Sequence, residues 1–348
     1  MGVKRGVSSY SYQNLIFDLK MNWNDFIRTI RQDLDTDGVE LIDGTFIPGY
    51  PFMSQEFEYA WKNEIARWDM KSVTMDIYLD VLQFRDHVMN HAEAVERLKR
   101  DLKIAARLGF QNVRALAPCP EDVIESCIPV AEDLGVCIGQ EVHAPIQIVY
   151  DPATDRNPKG VVDPALVDTI IEMRLKHNTT AVALVPDMGL FNNWFTPSQV
   201  AQAKRQTGDP DLIDFIVECR EADMAPDELT AKVKEKAPNA NMMALGRLIQ
   251  PQASATIDQF AKVVPYTCSI HGKFYEMVED PTKPGGYYDP SIPYDQIMKV
   301  LNDCGYEGYI NSEFEGQGNR NDLPDEEMFD EREQVRRQHV MLKALGAE

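Results

Sequence analysis

The chain has 348 residues, 44% of them hydrophobic, and a formal net charge of −21. That length allows two average domains or one large α/β barrel carrying an insertion, and the apolar share is enough for a full core. The negative charge excludes binding driven by a basic surface, to nucleic acid or to anionic membranes, and favours drawing cations into clefts.

Strand and helix patterns alternate along the chain. Residues 4–12 read as a strand, 23–34 as a helix, 38–42 as a second strand and 55–68 as a helix. Residues 72–79 place Val73, Met75, Ile77 and Leu79 on one face of a third strand. A strong amphipathic helix over 91–108 stops at Gly109, and strand four follows over 113–117. Helix 121–134 stops at Gly135, and Gly305 closes a later helix over 293–304; a glycine in that place ends a helix without strain. Strand five spans 136–142, helix five 164–177, strand six 181–185, strand seven 264–270, strand eight 309–312 and the last helix 326–345. Eight such units predict an α/β fold, a (β/α)8 TIM barrel formed by residues 1–348 as one domain.

The interval 196–261 is too long for one barrel helix and its turns. It holds helix patterns near 212–222, 226–236 and 242–248, so a helical insertion follows strand six. Loops after barrel strands form the catalytic face, which makes this insertion a lid or a docking surface for a partner there. Six cysteines, at 119, 127, 137, 219, 268 and 304, show no CxxC spacing and read as buried free thiols. No apolar run has the length of a membrane span, and the opening residues lack the apolar core of a signal peptide. The expectation is a cytoplasmic protein.

Chemistry concentrates at four strand ends. Glu141 ends Val-Cys-Ile-Gly-Gln-Glu, Asp187 ends Ala-Val-Ala-Leu-Val-Pro-Asp, His271 ends Tyr-Thr-Cys-Ser-Ile-His, and Glu313 ends Tyr-Ile-Asn-Ser-Glu. In a parallel barrel these side chains meet at the C-terminal mouth. Three carboxylates and an imidazole there repel one another unless a divalent cation sits among them. The donor set suits Mn²⁺, Mg²⁺ or a related divalent ion. Such an ion stabilises an enolate as a Lewis acid. His143 lies two residues beyond Glu141 and shares its strand face, so it stands as a candidate general base. Glu315 is related to Glu313 in the same way. Glu40, Arg114, Trp194, Phe274 and Glu315 are candidates for binding substrate, with Trp194, Phe195 and Phe274 able to stack on a sugar or an aromatic group. His87 could reach the mouth from the loop after strand three. His177 caps a helix end, and His91 and His339 are expected on solvated helix faces.

With these motifs in place the chain resembles the xylose isomerase-like superfamily of sugar isomerases and epimerases. The resemblance is carried by Gly-Val-Ser-Ser-Tyr-Ser-Tyr (6–12), Asp-Gly-Val-Glu-Leu-Ile (37–42), the His-Gly-Lys-Phe-Tyr run from 271, Gly-Gly-Tyr-Tyr-Asp (285–289) and Gly-Tyr-Glu-Gly-Tyr-Ile-Asn-Ser-Glu-Phe-Glu-Gly (305–316). It implies that Glu141, Asp187, His271 and Glu313 bind the metal. Typical epimerases carry a histidine shortly after the strand-six aspartate, whereas here Asp187 is followed by Met-Gly-Leu-Phe. Within the superfamily the chain looks most like α subunits of C-glycoside deglycosidases. That likeness implies a heteromer with a smaller β subunit and a 3-oxo-glucosyl aromatic glycoside as substrate. It also implies a lyase that deprotonates C2 and releases the aglycone by β-elimination. The alternative is a metal-dependent ketose isomerase or epimerase, with Glu141 and Glu313 as paired acid and base. A metal-dependent nuclease is disfavoured by the charge and the few histidines, and a non-catalytic sugar-binding subunit by the complete ligand set.

Overall fold

The computed structural model describes residues 2–116, 119–153, 155–156 and 163–348. Eight parallel strands form the centre: β1 (Lys4–Ser8), β2 (Gly38–Ile42), β3 (Lys71–Ile77), β4 (Asn112–Ala115), β5 (Cys137–Val142), β6 (Val182–Pro186), β7 (Ile270–Phe274) and β8 (Tyr309–Phe314). Each strand from β1 to β6 pairs with its sequence neighbour, β1 pairs with β8, and β8 with β7. Between β6 and β7 single parallel bridges at Leu184–Thr267 and Asp187–His271 bring the ends together. The result is a nearly closed TIM barrel with helices between its strands.

Local signals set the helix limits. The helix His91–Leu108 starts at Asn90, whose side chain accepts from the Glu93 N–H while the Glu93 carboxylate accepts from the Asn90 N–H; it ends at Gly109 with φ +79°. The last helix, Glu331–Ala344, starts later than residue 326 because Asp330 caps it, and Asp325–Glu327 forms a separate 3₁₀ turn. Strand seven also differs from the sequence expectation. Val264–Tyr266 is a 3₁₀ turn around Pro265, which has no N–H for a sheet ladder, and β7 begins at Ile270. The first strand stops at Ser8 and turns into the 3₁₀ segment Ser9–Tyr12. The expected end of strand four, residue 117, lies outside the described residues.

Between β6 and β7 the chain forms the helices Pro197–Thr207, Pro210–Glu221, Pro226–Lys236 and Met242–Ile249, then Ile257–Val263. Leu212, Ile213, Ile216, Leu229, Val233 and Leu248 give the first four a hydrophobic cluster of their own, separate from the main core. All six cysteines are free thiols, but Cys304 is exposed and Cys137 and Cys268 only half-buried, so burial of the whole set does not hold.

His339 is a further departure: it is buried at 2% exposure rather than solvated. The last helix packs on the outer face of the barrel and carries His339 between β1 and β8. Arg5 Nη1 donates to His339 Nδ1 at 2.9 Å, and Arg5 also donates to the carbonyls of Leu34, Asp35 and Glu348. A guanidinium can only donate, so the His339 proton sits on Nε2 and is given to Ser312 Oγ at 2.9 Å. Burial first, and Arg5 second, push its pKa from 6.5 down to about 3. The unfolded chain therefore binds more protons than the folded one between those values, and stability rises with pH across that window. The wild-type melting midpoint should fall steeply as pH drops from about 6.5 toward 4. His339→Gln, which cannot titrate, should show a flatter acid limb by differential scanning fluorimetry. Parallel acid limbs would remove His339 as the cause.

Candidate metal centre and mouth cavity

Alternation along the strands decides which side chains enter the barrel. On β7, His271 and Lys273 point inward while Ile270 and Phe274 join the outer core; on β8, Asn311 and Glu313 point inward while Ile310 and Phe314 pack outside. Register then aligns them: Asn311 lies beside His271, and His271 bridges to Asp187 on β6. The inward residues of β2, β3 and β4 include Glu40, Asp76 and Arg114, all fully buried or nearly so.

His271 stands at the centre, fully buried. Its Nδ1 lies 2.9 Å from Glu141 Oε1 and 3.4 Å from Glu313 Oε2, and its Nε2 lies 3.3 Å from Glu40 Oε1 and 3.8 Å from Asp76 Oδ1. Arg114 joins the two sides, with Nη2 3.2 Å from Asp76 and Nη1 3.5 Å from Glu141. Lys273 Nζ sits 2.7 Å from Asp187, 3.6 Å from Glu313 and 3.0 Å from Glu315. Lys273 and Asp76 are site residues that the strand-end pattern does not single out. Both were legible, Lys273 as the next inward residue after His271 and Asp76 as the face opposite Val73, Met75 and Ile77.

The charges perturb one another. Burial raises the pKa of Glu141, but Arg114 and His271 outweigh it and hold that carboxyl well below its usual range. Burial likewise opposes ionisation of Glu313, and Lys273 with His271 bring it down to about 2. Asp187 is pushed up to about 6 by burial in spite of Lys273, and Glu40 up to about 8 by burial and then by the Asp76 carboxylate. Burial lowers the pKa of His271, yet the surrounding carboxylates raise it well above the usual value.

Glu141, Asp187 and His271 bring one ligand atom each within 4.8 Å of one another, and so do Glu40, Asp76 and His271. Glu141 Oε2, Asp187 Oδ2, Glu313 Oε2 and both His271 nitrogens are buried without an aligned hydrogen bond, although cations stand near the carboxylates. Buried polar atoms left in that state are costly. Carboxylate oxygens and an imidazole nitrogen, with no thiolate in the set, fit a hard or borderline divalent ion. The set on the Glu141 side opens on solvent: Glu141, Asp187 and Glu313 line a cavity of about 680 Å³ at the barrel mouth.

His143, Arg114, Trp194 and Glu315 line the same cavity, together with Lys273. Gln199, Gln202, Arg247 and Gln252, from the segment between β6 and β7, form part of its wall. His143 Nδ1 donates to the Ala144 carbonyl at 2.7 Å if its proton lies there, which leaves Nε2 as the basic atom. Three sequence candidates sit elsewhere. Phe274 is fully buried against Phe314, with ring centroids 5.1 Å apart, because it is an outward residue of β7. Glu40 is buried beneath His271 and does not line the cavity. His87 is exposed, held by Asp86 and Glu93, and also stays outside the cavity.

No protein-family model matches the chain. It is 26% identical over 329 residues to the C-glycoside deglycosidase alpha subunit of Arthrobacter globiformis, covering 90% of this chain and 84% of that protein. It is 24% identical over 325 residues to the 3'-dehydrocarminate deglycosidase alpha subunit of Microbacterium sp, covering 89% and 88%. Among solved structures, a sugar phosphate isomerase/epimerase from Parabacteroides distasonis superposes with a TM-score of 0.54 at 14% identity, covering 99% and 94% of the two chains. The IOLI protein with a binding zinc atom gives 0.54 at 12% identity, covering 99% and 98%. The fold is thus the xylose isomerase-like TIM barrel of sugar isomerases and epimerases. Within it, the chain is a distant homologue of C-glycoside deglycosidase alpha subunits.

The cation reading makes a direct prediction. Isothermal titration should find one Mn²⁺ bound per chain, and Glu141→Gln or Asp187→Asn should weaken it by about 100-fold or more, since each removes an anionic ligand. Trp194→Ala should leave the affinity unchanged. Wild-type protein that takes up no divalent ion would contradict the assignment.

Proposed function

We propose that the chain is the catalytic alpha subunit of a metal-dependent C-glycoside deglycosidase that acts on 3-oxo-glucosyl groups joined to an aromatic aglycone. The observation that carries this reading is the pairing of two facts. Homology to deglycosidase alpha subunits runs along 90% of the chain, and the buried Glu141–Asp187–His271 cluster opens on the mouth cavity.

Glu141, Asp187, His271 and Glu313 would hold a divalent ion, which would supply Lewis-acid stabilisation of negative charge at the substrate's 3-oxo group. His143 is the base. Its Nδ1 is engaged by the Ala144 carbonyl, and Nε2 takes the proton from C2 of the sugar. The electrons of the C2–H bond pass into an enolate across C2 and C3. As the ketone re-forms, a C1–C2 double bond is made, the bond from C1 to the aglycone breaks, and the aglycone carbon takes up a proton. Lys273 and Arg114 offset the charge of the carboxylates lining the cavity, and Trp194 offers an aromatic face for the aglycone.

The alpha-subunit homology also supports a smaller second subunit as partner. No described helix is long and apolar enough to cross a membrane. The test supplies a 3-oxo C-glucoside and Mn²⁺ to the protein with any co-purifying small subunit and follows free aglycone by chromatography. Release is expected, and His143→Ala should lower kcat by about 10²- to 10⁴-fold while Mn²⁺ affinity is kept. Exchange of solvent deuterium into a free ketose, with no aglycone released, would favour the isomerase or epimerase reading instead.

A further inference from the structure

We propose that Glu40, with Asp76 beside it, is a positioning residue that holds the His271 ring so that Nδ1 faces the cavity-side carboxylates. This rests on the reading of Glu141, Asp187, His271 and Glu313 as a cation site. The ring has acidic groups on both edges, and the two edges differ in kind. On the Nδ1 edge, Glu141 and Glu313 line the mouth cavity; on the Nε2 edge, neither Glu40 nor Asp76 does.

The Nε2 edge could be taken for a second cation site, because Glu40, Asp76 and His271 also converge. Its carboxylates are already engaged by the protein. Asn311 Nδ2 donates to Glu40 Oε2 at 2.7 Å, and Arg114 Nη2 stands 3.2 Å from Asp76 Oδ2. One oxygen of each acid remains, Glu40 Oε1 and Asp76 Oδ1, and both face Nε2. A neutral imidazole that offers Nδ1 to a cation must carry its proton on Nε2. That proton needs an acceptor, and Glu40 Oε1 at 3.3 Å is the nearer of the two. Carboxylates in this relation to a metal-bound histidine fix its tautomer and orientation and raise its basicity.

Glu40 is itself fixed. Asn311 Nδ2 also lies 2.9 Å from Ser269 Oγ, to which Thr74 Oγ1 donates at 3.2 Å, so a buried polar floor runs from β3 past the residue before β7 to β8. The Asn311 side chain crosses β1 at Gly6, where an added Cβ would stand 2.0 Å from Asn311 Oδ1. Gly6 in the first strand and Glu40 in the second therefore serve one histidine in the seventh.

The test is a titration of Mn²⁺ into full-length wild-type and Glu40→Gln protein, with visible absorption spectra of the Co²⁺-loaded forms. Glu40→Gln keeps the shape and an acceptor oxygen but removes the charge. Mn²⁺ should bind about 10- to 100-fold more weakly and the Co²⁺ band should shift, as expected for loss of an outer partner of a metal-bound histidine. The melting midpoint, measured alongside, serves as the folding control. Unchanged Mn²⁺ affinity and an unchanged Co²⁺ band in Glu40→Gln would overturn the proposal and leave the cation site standing. Failure of the wild-type protein to bind Mn²⁺ or Co²⁺ would overturn the cation site and this inference with it. Should Glu40→Gln not fold, Asn311→Ser replaces it. That change keeps the Glu40 charge but frees its side chain, and it should weaken Mn²⁺ binding to a smaller degree; no weakening would again overturn the proposal.

Discussion

One fully buried imidazole, in contact with carboxylates on both of its edges, constrains the rest of this molecule. Barrel interiors of this type are usually filled by branched apolar side chains. Here the middle of the barrel holds Thr74, Asp76, Arg114, Ser269, His271 and Asn311. Charges so far from water interact strongly, and each must be matched or the fold is weakened. The matching explains details that look unrelated in the chain: a guanidinium between Asp76 and Glu141, an amide on Glu40, a lysine among Asp187, Glu313 and Glu315, and a bare Cα at Gly6.

The mouth is built asymmetrically around that centre. One wall belongs to the segment between β6 and β7, which has an apolar cluster of its own and is tied to the barrel loops by bonds such as Arg205 to Asp322. Arg220 fastens it: the guanidinium donates to the carbonyls of Leu248, Ile249 and Asn193 and lies 4.9 Å from the Trp194 ring centroid. Trp194 in turn stacks on Phe195 at 4.5 Å. The aromatic face that lines the cavity is therefore held by the insertion as well as by the barrel loop that carries it.

Much of this was legible in the sequence, and the gaps have physical reasons. The eight strands follow from their apolar patterns and the helix ends from their caps, because both signals are local. Glu141, Asp187, His271 and Glu313 stand out because polar residues interrupt apolar runs. The sequence pattern puts strand seven several residues early because Val263 and Val264 look like sheet residues, while Pro265 turns the chain there. That slip hid the alternation that sends Lys273 inward and Phe274 outward. His339 reads as a polar residue on a polar helix, and only the packing of that helix over Arg5 and Ser312 buries it. The division of the carboxylates into two layers depends on register across six strands, which no local pattern carries.

The seam between β6 and β7 gives the Asp187–His271 bridge a second meaning. These strands are far apart in the chain, separated by the whole helical insertion, and they touch through two isolated bridges rather than a continuous ladder. The candidate ligands on them meet only across this seam, so the site is complete only in the closed cylinder. A cation gripping both strands would act as a clasp on that joint. Because it has nothing to grip in the open chain, its binding free energy would add to the cohesion of the barrel by mass action. Closure of the fold and readiness for chemistry would then be the same event.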